Sequence, residues 1–153
     1  MQITKYDDID SIITVLTPFI AKTFESTKVN EHDAIYFLQH MREGLLKIGE
    51  IYAQTQFQES QAKLNLERLE ARLRLEDFPV WAIEKGYLKA TEKDKQAFIV
   101  LQPEYEMLYR EHAQWEAINT YLSTVRSNLY TTIDDVKKTT FSRPHFQTQQ
   151  IRA

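Results

Sequence analysis

The stretch from Leu45 to Leu73, LLKIGEIYAQTQFQESQAKLNLERLEARL, decides the fold. Within it Leu45, Ile48, Tyr52, Thr55, Ala62, Leu66, Leu69 and Leu73 alternate steps of three and four, interrupted only by Glu59. That is a heptad seam, which requires an apolar partner along its length. Upstream, Asn30 with Asp33 three residues later predicts an N-cap and an acidic first turn. The helix is therefore expected from Glu31 to about Asp77, with Pro79 ending it. At 1.5 Å per residue it would be roughly 70 Å long, whereas a globule of this size is about 40 Å across. Such a helix has to pair with another long helix, with other copies of the chain, or with both. Gly44 and Gly49 lie inside it at up to about 1 kcal/mol each relative to alanine, marking points of close helix approach or a local break.

Working outward, Phe78 to Ala90 contains Gly86 and reads as a turn, and Thr91 with Asp94 caps the next helix. Pro103, after Leu101 and Gln102, is placed to open another helix at its first turn. From there Tyr105, Leu108, His112, Trp115, Leu122, Leu129, Ile133 and Val136 form a second seam, with Asn119 and Arg126 as its polar members. Before the first seam, Ile9, Ile12, Ile13, Leu16, Phe19 and Ile20 line a helix starting near Asp7 or Asp8, which Pro18 should kink or end early. The fold class is all-α: a long antiparallel helical hairpin with heptad seams plus an N-terminal helix, assembling as an oligomer. Residues 1–138 make one elongated helical domain. Leu45, Ile48, Tyr52, Leu66, Leu69, Leu73, Leu108, Trp115, Leu122 and Leu129 are the expected oligomer interface. After Lys138 periodicity is lost, and residues 139–153 read as a flexible basic C-terminal tail.

Composition agrees with helices. Three glycines and four prolines among 153 residues are too few to punctuate a turn-rich sandwich or barrel. The chain is 42% hydrophobic and 27% charged, a balance that suits a soluble domain and not a membrane protein. With no cysteine there is no disulfide framework, thiolate zinc site or cysteine nucleophile. The start, MQITKYDDID, is acidic where a secretory leader is basic, and the apolar run Ile12 to Ala21 is half a bilayer crossing. A cytoplasmic protein with no membrane association is expected. None of His32, His40, His112 and His145 lies three residues after a glutamate or within an HExxH pattern, and no nucleotide loop or nucleophile elbow is present. No catalytic residue, metal or cofactor is expected, and the protein is not read as an enzyme.

What remains is a binding surface. The net charge of −3 is too close to zero for a free-standing nucleic-acid-binding domain, so a polyanion would have to use local patches. Between Lys63 and Lys95 the cations Lys63, Arg68, Arg72, Arg74, Lys85, Lys89, Lys93 and Lys95 interleave with Phe78, Trp81 and Tyr87. Cations for phosphates and aromatic faces for bases are the two ingredients of a single-strand binder. Against this, Glu67, Glu70, Glu76, Glu84 and Glu92 run through the same segment, as in an ordinary solvated helix face. Phe78 and Trp81 suit packing at a turn; Tyr87 is the aromatic best placed for exposure.

The string GYLKATE from Gly86 to Glu92, a short helix, and QPEY from Gln102 to Tyr105 opening a helix that reaches Trp115, Arg126 and Leu129 resemble the UvsY-type recombination mediators of phages. The likeness covers roughly residues 60–138; Gln102 stands where an aspartate is common, and the first sixty residues match only in being helical. The resemblance implies a non-enzymatic, ring-like homo-oligomer that binds single-stranded DNA and helps load a RecA-like recombinase onto strands covered by single-strand-binding protein. Its cytoplasm would be that of the host if the chain is phage-encoded. In that family basic residues joining the two helical segments contact DNA, which maps onto Arg72, Arg74, Lys85 and Lys89. With the charge pattern, the expected DNA-binding set is Lys63, Arg68, Arg72, Arg74, Lys85, Tyr87 and Lys89. Weak patches on a closed ring would act together through effective concentration. The alternatives are an oligomeric coiled-coil scaffold without DNA binding, and an adaptor whose tail from Lys137 to Ala153 binds an acidic partner.

Overall fold

The structure, a computed structural model, describes residues 1–141. Among them every regular element is helical: α1 (Ile9–Thr23), α2 (Glu31–Arg72), α3 (Phe78–Glu84), α4 (Glu92–Val100) and α5 (Pro103–Phe141). The expected all-α class is what is found. Where the sequence suggests one elongated domain over residues 1–138, the chain groups into two compact units, Met1–Gln54 with the C-terminal part from Ile118, and Thr55–Ala117.

In the first unit α1, residues 31–54 of α2 and residues 118–141 of α5 supply the core. Ile12, Leu16, Met41, Ile48, Ile118, Leu122, Leu129 and Val136 are all buried. The Asn30 cap forms as expected, its Oδ1 accepting the Asp33 N–H at 3.0 Å. The chain start is tied down by Gln54, whose Oε1 accepts the Ile3 N–H at 2.8 Å while its Nε2 donates to the Met1 carbonyl at 3.2 Å. Gly44 is a close approach: a Cβ there would lie 2.9 Å from the Phe19 ring of α1, whereas one at Gly49 would meet nothing within 4 Å. Pro18 does not end α1, which continues to Thr23. The buried pair Ile12 and Leu16 anchors the helix face, and that packing outweighs the lost hydrogen bond.

In the second unit Leu69, Leu73 and Ile99 are buried together, with Phe98, Tyr105 and Leu108 packed against them. Pro79 does not stop the helical path either. A π turn over Leu73–Asp77, closed by the Phe78 N–H on the Leu73 carbonyl, leads into α3. The wider turn makes room for the proline ring, which would otherwise clash with the carbonyl four residues back. Gln102 caps α5, its carbonyl accepting the Glu106 N–H at 3.2 Å, so Pro103 stands at the first helical position as the sequence predicts.

Two expectations can be set beside the single chain. Of the residues assigned to an oligomer interface, Ile48, Leu69, Leu73, Trp115, Leu122 and Leu129 are buried within the single chain, and Leu45, Tyr52, Leu66 and Leu108 are half-buried. Six of the ten therefore serve packing within the chain itself, while the other four keep part of their surface in water. The second concerns the tail. The helix continues to Phe141 with Thr140 buried, so Thr139 to Phe141 are helical; the rest of the expected tail lies outside the described residues.

Candidate nucleic-acid interface

The aromatic turn is built by the way α3 ends. The Tyr87 N–H reaches the Ala82 carbonyl at 2.9 Å and the Gly86 N–H reaches the Ile83 carbonyl at 3.1 Å. This crossed pair is a Schellman ending, which requires a left-handed residue, and Gly86 supplies it at φ +76°. Tyr87 therefore emerges directly after the helix. Its ring lies 5.3 Å from that of Trp81, tilted by 30°. Trp81 in turn is 5.1 Å from Phe98 on α4 and 5.8 Å from Phe78. Phe78 is the buried foundation, Trp81 is half-buried, and Tyr87 is 45% exposed.

A groove of about 480 Å³ opens here between Trp81, Tyr87, Phe98 and Leu101, with Asp94 and Gln102 on its polar side. Asp94 belongs to the cap of α4: its Oδ2 accepts the Thr91 N–H at 2.7 Å and the Thr91 hydroxyl at 2.8 Å. Those bonds hold its carboxyl below the usual range, the backbone donor contributing most. Gln102 Nε2 donates to the Phe98 carbonyl at 3.0 Å, fixing the end of α4 against the groove.

The predicted cations divide into two groups, all within the second unit. Lys85 and Lys89 flank Tyr87 in sequence, and Lys63 and Arg68 stand on α2; these four are exposed and join no ion pair among the described residues. Arg72 and Arg74 are engaged. Arg72 Nη2 is 2.8 Å from Glu104 Oε2 and its Nε is 3.9 Å from Asp77. Arg74 Nη1 is 2.6 Å from Glu92 Oε2, with Glu70 at 3.5 Å and Gln96 Oε1 at 3.4 Å from Nη2. Lys95 holds the other oxygen of Glu92 at 3.1 Å, and Lys95 together with Arg74 keeps that carboxyl below its usual range. Tyr105 lies beside this network, its hydroxyl pKa pushed up by burial and by Glu70.

Sequence reading found Tyr87 and the lysines beside it and passed over Phe98, Leu101 and Gln102. The signal was present in α4, where Phe98 and Leu101 are three residues apart on one helix face, but their mate Trp81 lies across a turn. Elsewhere His40 is spent on packing, its ring 4.8 Å from Phe19. Among the described residues no three metal-ligating side chains come together, and no helix is long and apolar enough to cross a membrane. Compared with protein-family models, curated proteins and solved structures, the chain matches none.

Proposed function

We propose that the protein is a non-enzymatic, single-stranded-DNA-binding mediator of recombination, which holds DNA at the aromatic turn and helps load a RecA-like recombinase. The observation that carries the DNA part is the groove of Trp81, Tyr87 and Phe98 with Lys85 and Lys89, which join no ion pair among the described residues, on its turn. Aromatic faces accept any base by stacking, and cations beside them neutralise the backbone. The resemblance of Gly86–Glu92 and Gln102–Tyr105 to phage mediators supports the recombinase and single-strand-binding protein as partners.

The reading includes an antiparallel hairpin of α2 and α5 and a homo-oligomer. Contact of Leu69 and Leu73 with Tyr105 and Leu108, where α2 ends and α5 begins, supports the hairpin. Exposed Ile35, Tyr36 and Leu46 on α2 support contact with further copies, since the seams themselves are used internally. The same three residues also favour the alternative, an assembling scaffold that binds no DNA.

Titration of a fluorescent thirty-nucleotide single strand at two salt concentrations, with particle mass measured in parallel, decides between them. Affinity should fall steeply with salt, by about 0.7 log units per log unit for each phosphate neutralised. Tyr87→Ala should cost roughly 1 to 3 kcal/mol with little change in that slope, and Lys85→Ala with Lys89→Ala should flatten it. Absence of binding at low salt by an intact assembly leaves the scaffold.

A further inference from the structure

The free lysines account for a binding surface without Arg72 and Arg74, so the engagement of those two calls for its own explanation. Each arginine joins two elements: Arg74, in the π turn, reaches Glu92 at the start of α4, and Arg72, at the end of α2, reaches Glu104 at the start of α5. Both glutamates occupy first turns, where the helix dipole favours a negative charge whether or not an arginine is present. A carboxylate and a phosphate offer a guanidinium the same pair of acceptor oxygens. Arg72, Glu92 and Glu104 are exposed and Arg74 is half-buried, so their pairs reach water and are weak enough to exchange with a competing anion.

Resting on the DNA reading above, we propose that Glu92 and Glu104 are internal competitors of the phosphate backbone, holding Arg74 and Arg72 until a bound strand displaces them. The lysines and the aromatic groove then make the first contact, and the arginines join only when phosphates are delivered beside them. The arrangement favours a long strand over isolated anions, because a single phosphate in solution has no second contact to offset the lost pair.

The test is the titration of a fluorescent thirty-nucleotide single strand with the full chain carrying Glu92→Gln and Glu104→Gln. A control carries Glu106→Gln and Glu111→Gln, which changes net charge equally; Glu106 pairs at 2.6 Å with Arg110 on its own helix. The first variant should bind roughly tenfold tighter, as expected when three weak pairs are removed, the third being Lys95 with Glu92, while the longer contacts of Arg72 with Asp77 and Arg74 with Glu70 remain. Its salt slope should steepen by up to about 1.4, two phosphates at 0.7 each. The control should move neither. Should the double variant lose helicity, the single changes are read instead, each expected to give half the change in slope. Equal tightening by both double variants reduces the effect to net charge and overturns the inference. Unchanged binding by the first variant beside a wild type that binds also overturns it, with the DNA reading left standing. If no form binds, the DNA reading fails and the competition falls with it.

Discussion

The two units spend their side chains differently. The first is organised around large aliphatic residues taken fully out of water, Ile12, Leu16, Met41, Ile48, Leu122 and Leu129 among them. The second also buries Leu69, Leu73, Phe78, Ile99 and Trp115, but three partners of its Leu69, Leu73 and Ile99 cluster are only partly buried, and it carries ion pairs, a capped turn and half-exposed rings around them. The difference shows where chemistry is available. A side chain wholly enclosed in a core contributes by burial, while rings and cations kept partly wet can exchange protein contacts for ligand contacts.

The largest expected effect sharpens that contrast. Leu122→Ala in the first unit should cost about 2 to 5 kcal/mol, since it removes a fully buried side chain and leaves a cavity. Leu66→Ala in the second should cost about 1 kcal/mol, because Leu66 keeps part of its surface in water. Urea denaturation followed by helical signal measures both. Equal losses would mean that the second unit is as tightly packed as the first.

Glycines give the next effect and separate packing from backbone causes. Gly44→Ala should destabilise by about 1 to 3 kcal/mol, because its Cβ would overlap Phe19 at 2.9 Å in a well-packed place. Gly86→Ala should cost about 1 to 2 kcal/mol for a different reason, the left-handed φ of +76°. Gly49→Ala, with open space around it, should stabilise by up to about 1 kcal/mol through helix propensity. A thermal melt of the three variants orders them, and a stabilised Gly44→Ala would show that α1 shifts freely to accommodate it.

How much of this was legible in the sequence follows the same division. Signals read from neighbouring residues emerged where the spacing placed them: the Asn30 and Thr91 caps, the Gly86 turn and the start of α5 at Pro103. Pro18 and Pro79 interrupt the helices less than a local rule predicts, because such a rule cannot include the packing of Ile12 and Leu16 or the π turn before Pro79. The heptad pattern identified core positions but could not say whose core they belong to, and the chain's own units took most of them. Ion pairing of the arginines was hidden for a reason of distance. Glu104 is 32 residues from Arg72 and Glu92 is 18 from Arg74, so no helical spacing rule connects them.

The smallest effect compares one carboxylate from each unit. Asp8 accepts two backbone N–H groups, those of Lys5 and Thr4, at 3.0 and 2.9 Å, whereas Asp94 accepts one backbone and one hydroxyl donor from Thr91. Both carboxyls titrate below their ordinary value of 3.8. A lowered folded-state pKa means that the ionised form is favoured by folding. The resulting stability is complete above the unfolded value near 3.8 and is lost as pH falls through the folded one. Both residues keep part of their surface in water, so the contribution is small, and it is best followed by titrating each carboxyl resonance by NMR rather than by total stability. Thr91→Val removes the hydroxyl donor and keeps the backbone one. The Asp94 midpoint should then rise part of the way towards 3.8 while Asp8, held by the Lys5 and Thr4 backbone donors and by the Lys5 charge, stays where it was. No movement of Asp94 would mean that the hydroxyl bond to its carboxylate adds nothing in water, and that the Thr91 hydroxyl serves the cap of α4 only as acceptor of the Asp94 N–H.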